Sequence, residues 1–136
     1  MDVHLRSLAC LTAPGTLLAD GSAGACWGFL TRDPRIVQVL RPGSGGPRHI
    51  GGVRVRRAVL PGGDVAWNGV VPVTSAERTL IDLAPHLRPE QLARATREAI
   101  RLKLLTGSSL LDALSRHRGR RGTPRLRSLA ERYATT

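Results

Sequence analysis

The sequence predicts an α+β domain, in which a small antiparallel β-sheet packs against helices and the C-terminal third is helical. Three observations lead to this class. The chain has 136 residues, the length of one ordinary domain. Short valine-rich stretches bounded by Gly and Pro fill its middle. Apolar residues at helical spacing follow from about residue 74 onward. Because only 3% of the residues are aromatic, the core must be mainly aliphatic.

The first thirty residues are expected to contain two short helices. Residues 3–12 carry apolar side chains at helical spacing, and Pro14 ends that helix. Ser22 then caps a second helix, whose small residues permit close packing and in which Trp27 is the main buried anchor.

The middle of the chain has the pattern of β-strands joined by tight turns. The predicted strands cover residues 36–40, 53–60, 64–67 and 70–73. Asn68-Gly69 between the last two is a strong hairpin signal. In residues 53–56 valine alternates with Arg54 and Arg56, so both arginines point to one face of their strand. That face either touches phosphate or is simply solvated.

The best-defined helix start lies directly after these strands. Thr74 and Glu77 have the spacing of a capping box, in which the Thr74 hydroxyl accepts a hydrogen bond from the Glu77 backbone and Glu77 reaches back. Arg78 and Asp82 follow one turn apart, so they fall on one face of the helix and are expected to pair. We interpret this Arg–Asp pair as structural.

Three further helices are predicted in the rest of the chain. Pro89 opens the longest of them, in which Glu90 and Glu98 are each placed to pair with Arg94. The next helix begins at Ser108 or Ser109, and the last begins at Thr123-Pro124.

Positive charge concentrates in the last third of the chain. The net charge is +11, and arginine supplies nearly all of the basic residues. Residues 90–136 carry eleven basic and four acidic side chains, against ten and six in residues 1–89. We expect a single domain over residues 1–136, with a remnant N-terminal helix in 1–20, a mixed core in 21–89 and a basic helical part in 90–136.

This charge is expected to attract polyanions, above all nucleic acid. No acid interrupts the arginine run between residues 116 and 127, so we expect its members to lack carboxylate partners. Few aromatic residues are present to stack on bases, so the contacts would go to phosphate and would position the ligand without specifying sequence. The candidate phosphate-binding residues are Arg116, Arg118, Arg120, Arg121, Arg125 and Arg127, with Arg54, Arg56 and Arg57 as a second patch.

The sequence lacks the usual patterns of catalytic and metal sites. Its four histidines are scattered, and no His/Cys cluster has metal-ligand spacing. Cys10 and Cys26 lack a CxxC spacing, and Cys26 is interpreted as a small core residue. We expect a non-enzymatic protein with no catalytic residue, no cofactor and no metal. Because no run of eighteen apolar residues and no signal peptide is found, we expect no membrane partner and a cytoplasmic location.

Residues 70–84 form the most specific segment of the sequence. They match nearly throughout the pattern Gly-x-Pro-Val-Thr-Ser-x-x-Arg-Thr-Leu-x-Asp-Leu-Ala, and so the chain resembles the C-terminal domain of AbiEi-like antitoxins, found in many actinobacterial proteins. The resemblance extends over residues 8–133. It departs from the family at residues 19–21, where Ala-Asp-Gly stands in place of the frequent Ser-His-Arg. The supporting segments are 22–29, 37–42, 52–57, the Asp64-Val65 step and 119–126.

The resemblance implies a bacterial type IV toxin–antitoxin system. Antitoxins of this family typically repress their own operon through an N-terminal winged helix-turn-helix. The domain matched here is linked to neutralising a nucleotidyltransferase toxin without a stable complex. Many relatives continue into a very-short-patch-repair-like endonuclease domain. We expect both additional domains to be absent from this chain, and we expect it to be an antitoxin-like regulatory domain that contacts DNA through arginine.

Two alternatives to this function remain open from the sequence. The chain is an accessory or truncated remnant of an endonuclease-fusion protein, or it is a protein-interaction scaffold whose arginines meet an acidic partner. A neighbouring gene for an endonuclease-like domain favours the first alternative, whereas a neighbouring nucleotidyltransferase gene favours the antitoxin. Tight protein binding with only weak DNA binding favours the scaffold.

Overall fold

The predicted α+β class is confirmed in the computed structural model, which describes residues 15–31, 36–46, 48–50 and 52–134. The helix predicted at residues 3–12 lies outside the described residues. The described strands are β1 (Leu17–Leu18), β2 (Val37–Pro42), β3 (Arg48–Ile50), β4 (Val53–Ala58), β5 (Val65–Asn68) and β6 (Val71–Thr74). The described helices are α1 (Asp20–Trp27), α2 (Ala76–Leu83), α3 (Pro89–Arg101), α4 (Gly107–Ser115) and α5 (Thr123–Ala134).

The strands form a mixed sheet rather than the antiparallel sheet predicted from the sequence. Their order is β3-β4-β2-β1-β6-β5. The pairs β1/β2, β3/β4 and β5/β6 are antiparallel, but β1/β6 and β2/β4 are parallel. The sequence did not indicate β1, because two leucines are too short to produce an alternating pattern. This short strand nevertheless joins the two halves of the sheet.

The predicted hairpin is confirmed at the edge of the sheet. β5 and β6 pair in a register that sets Asn68 opposite Val71, with Gly69 in the turn at a φ of +63°. A left-handed backbone conformation of this kind is what Asn-Gly turns supply.

Two hydrophobic clusters form the core. One lies on the sheet and is built mainly of valine, and the other holds the helices together through fully buried leucine and isoleucine side chains. Trp27 packs against both clusters and donates from Nε1 to the carbonyl of Thr74 at 2.9 Å. It is half-buried rather than the main buried anchor of its helix, because its indole reaches across to β6. The largest fully buried residues of the helical cluster are Leu80, Ile81, Leu92, Leu110, Leu114 and Leu126.

Two predicted helix caps are wrong, because the helices begin one to three residues away from the predicted positions. α1 begins at Asp20 instead of after Ser22, since the Ser22 hydroxyl accepts a hydrogen bond from the Gln38 backbone at 2.8 Å. At α2 the cap is Ser75, which accepts from the backbone of Arg78 at 3.1 Å. The Thr74 hydroxyl instead lies 2.6 Å from that of Thr79. Tertiary partners outcompete the local bonds that the sequence pattern suggested.

The surface ion pairs of α3 also differ from the prediction. Glu90 pairs with Arg88 at 3.2 Å, and Glu98 pairs with Arg101, so neither carboxylate pairs with Arg94. The next helix, α4, begins at Gly107 rather than at Ser108 or Ser109, because Thr106 caps it through the backbone of Ser109.

Two glycines in the turn before α5 allow the packing of this turn against the end of α2 to be tested. Gly119 and Gly122 both have a φ of +82°, so alanine at either position incurs a left-handed conformation costing about 1–2 kcal/mol. A Cβ at Gly122 would lie 2.8 Å from the Ala84 carbonyl carbon, whereas nothing lies within 4 Å of one at Gly119. We expect Gly122→Ala to lower the free energy of unfolding by about 1–3 kcal/mol more than Gly119→Ala, as measured by urea denaturation. If both variants lose the same free energy of unfolding, the close approach of Gly122 to Ala84 is contradicted.

Candidate functional site

A buried arginine links two buried carboxylates where the sheet meets the helices. Arg78 is 3% exposed, and it bonds from Nη1 to Asp64 Oδ2 at 2.8 Å and from Nε to Asp82 Oδ1 at 2.9 Å. The predicted i,i+4 pair of Arg78 and Asp82 is thus confirmed. Asp64 comes from the turn before β5, and its own carbonyl accepts from the Ser75 backbone at 2.9 Å. The bond holds this turn against the start of α2.

Two more arginines converge on Asp82 from distant parts of the chain. Arg120, in the α4–α5 loop, bonds from Nη2 to Asp82 Oδ1 at 2.6 Å. Arg56 of β4 bonds from Nη2 to Asp82 Oδ2 at 3.1 Å, and it also pairs with Asp20 at 3.0 Å. Asp20 reaches this position with a φ of +53°, a conformation that Asp adopts more readily than most residues.

His117 completes the arrangement on the other carboxylate. Its Nε2 lies 2.7 Å from Asp64 Oδ2, and its Nδ1 lies 3.4 Å from Arg120 Nη1. Arg116 is 3.6 Å from Asp64 Oδ1, which has no hydrogen-bond partner within the described residues. We call this set the arginine–carboxylate network; its members are Asp20, Arg56, Asp64, Arg78, Asp82, His117 and Arg120.

The network holds the Asp64 carboxylate in its charged form. Burial raises the pKa of Asp64, but hydrogen bonds from Arg78 and His117 and the electrostatic attraction of these two residues outweigh burial, so the pKa lies below its ordinary value. For Arg56, burial lowers the pKa, and the charges of Asp20 and Asp82 more than compensate and raise it. Both groups therefore remain ionised at neutral pH.

The structure corrects the expectation that the arginines between residues 116 and 127 lack carboxylate partners, and it also pairs Arg56 of the second patch. Arg56 and Arg120 are held in ion pairs, and Arg116 lies within ion-pair distance of Asp64. These acids are far from the arginines in sequence, and so the run between residues 116 and 127 gave no sign of them. The second patch is also divided. Arg54 and Arg56, which the sequence places on one face of their strand, line one cleft, whereas Arg57 lies beside Gly45 in the loop after β2.

Besides Arg57, four of the candidate arginines have no carboxylate partner within the described residues. Arg118 and Arg127 line one shallow depression beside the end of α4. Arg121 and Arg125 are exposed at the start of α5. We call this group the α5 basic surface; its members are Arg118, Arg121, Arg125 and Arg127.

The sequence missed Asp20, Asp64 and His117 as parts of a site. Asp64 and His117 are separated by 53 positions, and neither belongs to a recognisable motif. The one available signal was the Asp-Val step after two glycines, which predicts a turn but no partner. Of the four residues predicted as a structural motif, Arg78 and Asp82 enter the network, whereas Thr74 and Glu77 do not.

Within the described ranges, no group of three or more His, Cys, Asp or Glu residues is arranged to hold a metal ion. In the same part of the chain, no helix has the length and apolar character needed to cross a bilayer.

Removing the central arginine tests the network. We expect Arg78→Met to lower the free energy of unfolding by about 3–5 kcal/mol, because two buried carboxylates lose their shared partner. Urea denaturation followed by circular dichroism measures the change. Arg101→Met removes an arginine–carboxylate pair that is exposed on α3 and should leave stability close to that of the unchanged protein. If both variants lose a similar free energy of unfolding, the buried pairing of Arg78 contributes no more to stability than an exposed ion pair does.

The Asp64 carboxylate should make stability sensitive to acid. Because its pKa is lower in the folded protein than the ordinary value of about 3.9, its contribution is fully present above that pH. It is lost as the pH falls through the folded-state pKa. Unfolding free energies measured from pH 7 to pH 3 should decline, and Asp64→Asn should flatten part of that decline. If the unfolding free energy of the unchanged protein and that of Asp64→Asn depend on pH with the same slope, Asp64 is not a source of the acid sensitivity.

Comparisons with known proteins agree with this architecture. The sequence model of the AbiEi antitoxin C-terminal domain matches residues 12–132. No curated protein matches the chain. Among solved structures, the RV2827C protein from Mycobacterium tuberculosis shares the fold, with a TM-score of 0.56 and 24% sequence identity over 93% of this chain and 51% of that protein. This chain therefore spans about half the length of that relative. Since the family pattern covers most of its length, the chain belongs to the family of AbiEi antitoxin C-terminal domains.

Proposed function

We propose that this domain is the antitoxin part of a bacterial type IV toxin–antitoxin system and that it contacts DNA phosphates through the α5 basic surface. The match to the AbiEi antitoxin family over residues 12–132 carries the first part of the proposal. The second part rests on charge that the fold leaves available. We infer no catalytic residue and no cofactor for this function.

The position of the α5 basic surface favours an anionic ligand. Arginines repel one another at this end of α5, and the first turn of the helix holds no acidic residue. The positive end of the helix dipole adds to this repulsion. A phosphate backbone would relieve the repulsion and release condensed counterions. The overall charge of +11 would also speed the encounter with DNA.

The cognate toxin in this proposal is a nucleotidyltransferase that is neutralised without a stable complex. DNA contact would then serve regulation of transcription in the bacterial cytoplasm rather than capture of the toxin. Both statements extend the family membership of the chain.

An interaction scaffold is the second candidate, and exposed apolar side chains favour it. Trp67 is 64% exposed on the edge strand β5, and Val70 in the adjoining turn is 78% exposed. Exposed apolar groups this close together occur at protein interfaces. If the domain is a scaffold, DNA binding should be weak and protein binding tight.

Fluorescence anisotropy of labelled duplex DNA across a salt series tests the DNA contact. Four phosphate contacts predict a slope of log K against log salt of about −4. The double variant Arg121→Gln/Arg125→Gln should reduce the magnitude of that slope by about two. Binding that favours upstream DNA of the same gene over a scrambled duplex would support a regulator.

The matched control carries the same loss of charge on another helix. Arg94→Gln/Arg97→Gln removes two exposed arginines from α3 that are not members of the α5 basic surface. Its salt slope should equal that of the unchanged protein. If both double variants reduce the slope equally, binding depends on net charge alone and the assignment to α5 is wrong.

Growth rescue tests the antitoxin role. Co-expression with a nucleotidyltransferase toxin of a type IV system should restore growth, and Arg78→Met should abolish rescue because it destabilises the fold. The exposed Arg101→Met variant should still rescue. No rescue by the unchanged chain would argue against an antitoxin that acts through this domain alone.

A further inference from the structure

A polar cleft of about 390 Å³ opens beside the arginine–carboxylate network. The sheet strands β2 and β4 contribute Gln38, Arg54 and Arg56 to its lining. The helical part contributes His86, from the segment after α2, and Arg120 from the loop before α5. The cleft shares no residue with the α5 basic surface. A concave space of this size is typical of sites for small molecules.

In the cleft, the acidic side chains are more deeply buried than the arginine side chains that pair with them. The side chains of Asp82 and Asp20 are 1% and 18% exposed, whereas those of Arg56 and Arg120 are 33% and 34% exposed. The guanidinium groups therefore lie nearer the solvent than the carboxylates that hold them. Arg54 adds a further positive charge to the lining. A ligand that enters the cleft meets positive charge first.

Arg56 and Arg120, which are paired with carboxylates, each have one nitrogen that, in the part of the chain that the structure describes, is free to donate a further hydrogen bond. Arg56 uses Nε and Nη2 for Asp20 and Asp82, and Arg120 uses Nη1 and Nη2 for His117 and Asp82. Nη1 of Arg56 and Nε of Arg120 make no hydrogen bond within the described residues. Because carboxylates already fix both guanidinium groups, binding an anion would cost little additional side-chain entropy.

We propose that this cleft binds a terminal phosphate group, either of a free phosphate monoester or of the 5′ end of a nucleic acid strand. A monoester carries a charge of about −1.5 to −2 at neutral pH and three strong acceptor oxygens. Planar guanidinium groups match that geometry with paired hydrogen bonds. An internal phosphodiester carries a single charge and lies on a convex duplex surface, so it suits the α5 basic surface better than a recess.

Calorimetric titration with inorganic phosphate at constant ionic strength tests the site on the full chain. Arg54→Gln removes a donor that lines the cleft from β4, and His86→Gln changes the lining that comes from the helical part. We expect either variant to weaken phosphate binding about tenfold or more. Arg97→Gln, an exposed arginine on α3, is the matched control and should bind phosphate as the unchanged protein does.

The source of the phosphate is identified by two further titrations. A duplex with 5′-phosphate ends should bind more tightly than the same duplex with 5′-hydroxyl ends if strand ends are the ligand. A nucleoside monophosphate should bind better than its nucleoside if the ligand is a free monoester. Either preference supports the cleft when Arg54→Gln abolishes it.

The proposal is overturned if the unchanged protein shows no saturable phosphate binding. It is also overturned if both cleft variants bind phosphate as tightly as the unchanged protein, or if Arg97→Gln weakens binding equally. Because Arg54→Gln should leave the salt slope for 5′-hydroxyl DNA unaltered, failure here is distinguishable from failure of the α5 basic surface.

Discussion

The fold depends on a buried guanidinium that has to be neutralised. Arg78 sits between Asp64 and Asp82 with almost no exposure, and a charge in that position is tolerated only when its hydrogen-bond partners are fixed. One partner comes from its own helix and the other from the turn before β5. Satisfying Arg78 therefore fixes the position of the hairpin β5–β6 relative to α2. The hydrophobic clusters on either side then pack around a junction whose geometry is already specified.

The same network decides which arginines remain available to a ligand. Arg56 and Arg120 share Asp82 with Arg78, so they connect β4 and the α4–α5 loop to the buried centre. That loop leads directly into α5, and its attachment sets where the α5 basic surface faces. Arginine thus has two uses in this domain. Guanidinium groups neutralise buried carboxylates, as those of Arg78, Arg56 and Arg120 do. They also offer hydrogen-bond donors to phosphate, as we propose for the cleft and for the α5 basic surface.

Contacts between the two hydrophobic clusters fix how the sheet and the helices meet. Trp27 lies between the sheet cluster and the helical cluster and bonds to the carbonyl of Thr74, while Gly122 permits the loop before α5 to approach the end of α2. The polar cleft takes its lining from both the sheet and the helical part, and it shares no residue with the α5 basic surface. One domain can then hold a strand backbone and a terminal phosphate independently, which is the arrangement that the two proposals require.

The sequence by itself determined the fold class, the β5–β6 hairpin, the helices after residue 74 and the pairing of Arg78 with Asp82. Each of these depends on residues close together in the chain, where turn chemistry and helical spacing act directly. Only the tertiary structure decided that β1 makes the sheet mixed, that Ser75 rather than Thr74 caps α2, and that Arg56 and Arg120 are paired. Those outcomes join residues such as Asp82 and Arg120, which are 38 positions apart, and no local pattern encodes such a contact. The amino-acid composition was enough to predict the net positive charge. Whether a given arginine faces solvent or a carboxylate depends on which distant elements the core brings together.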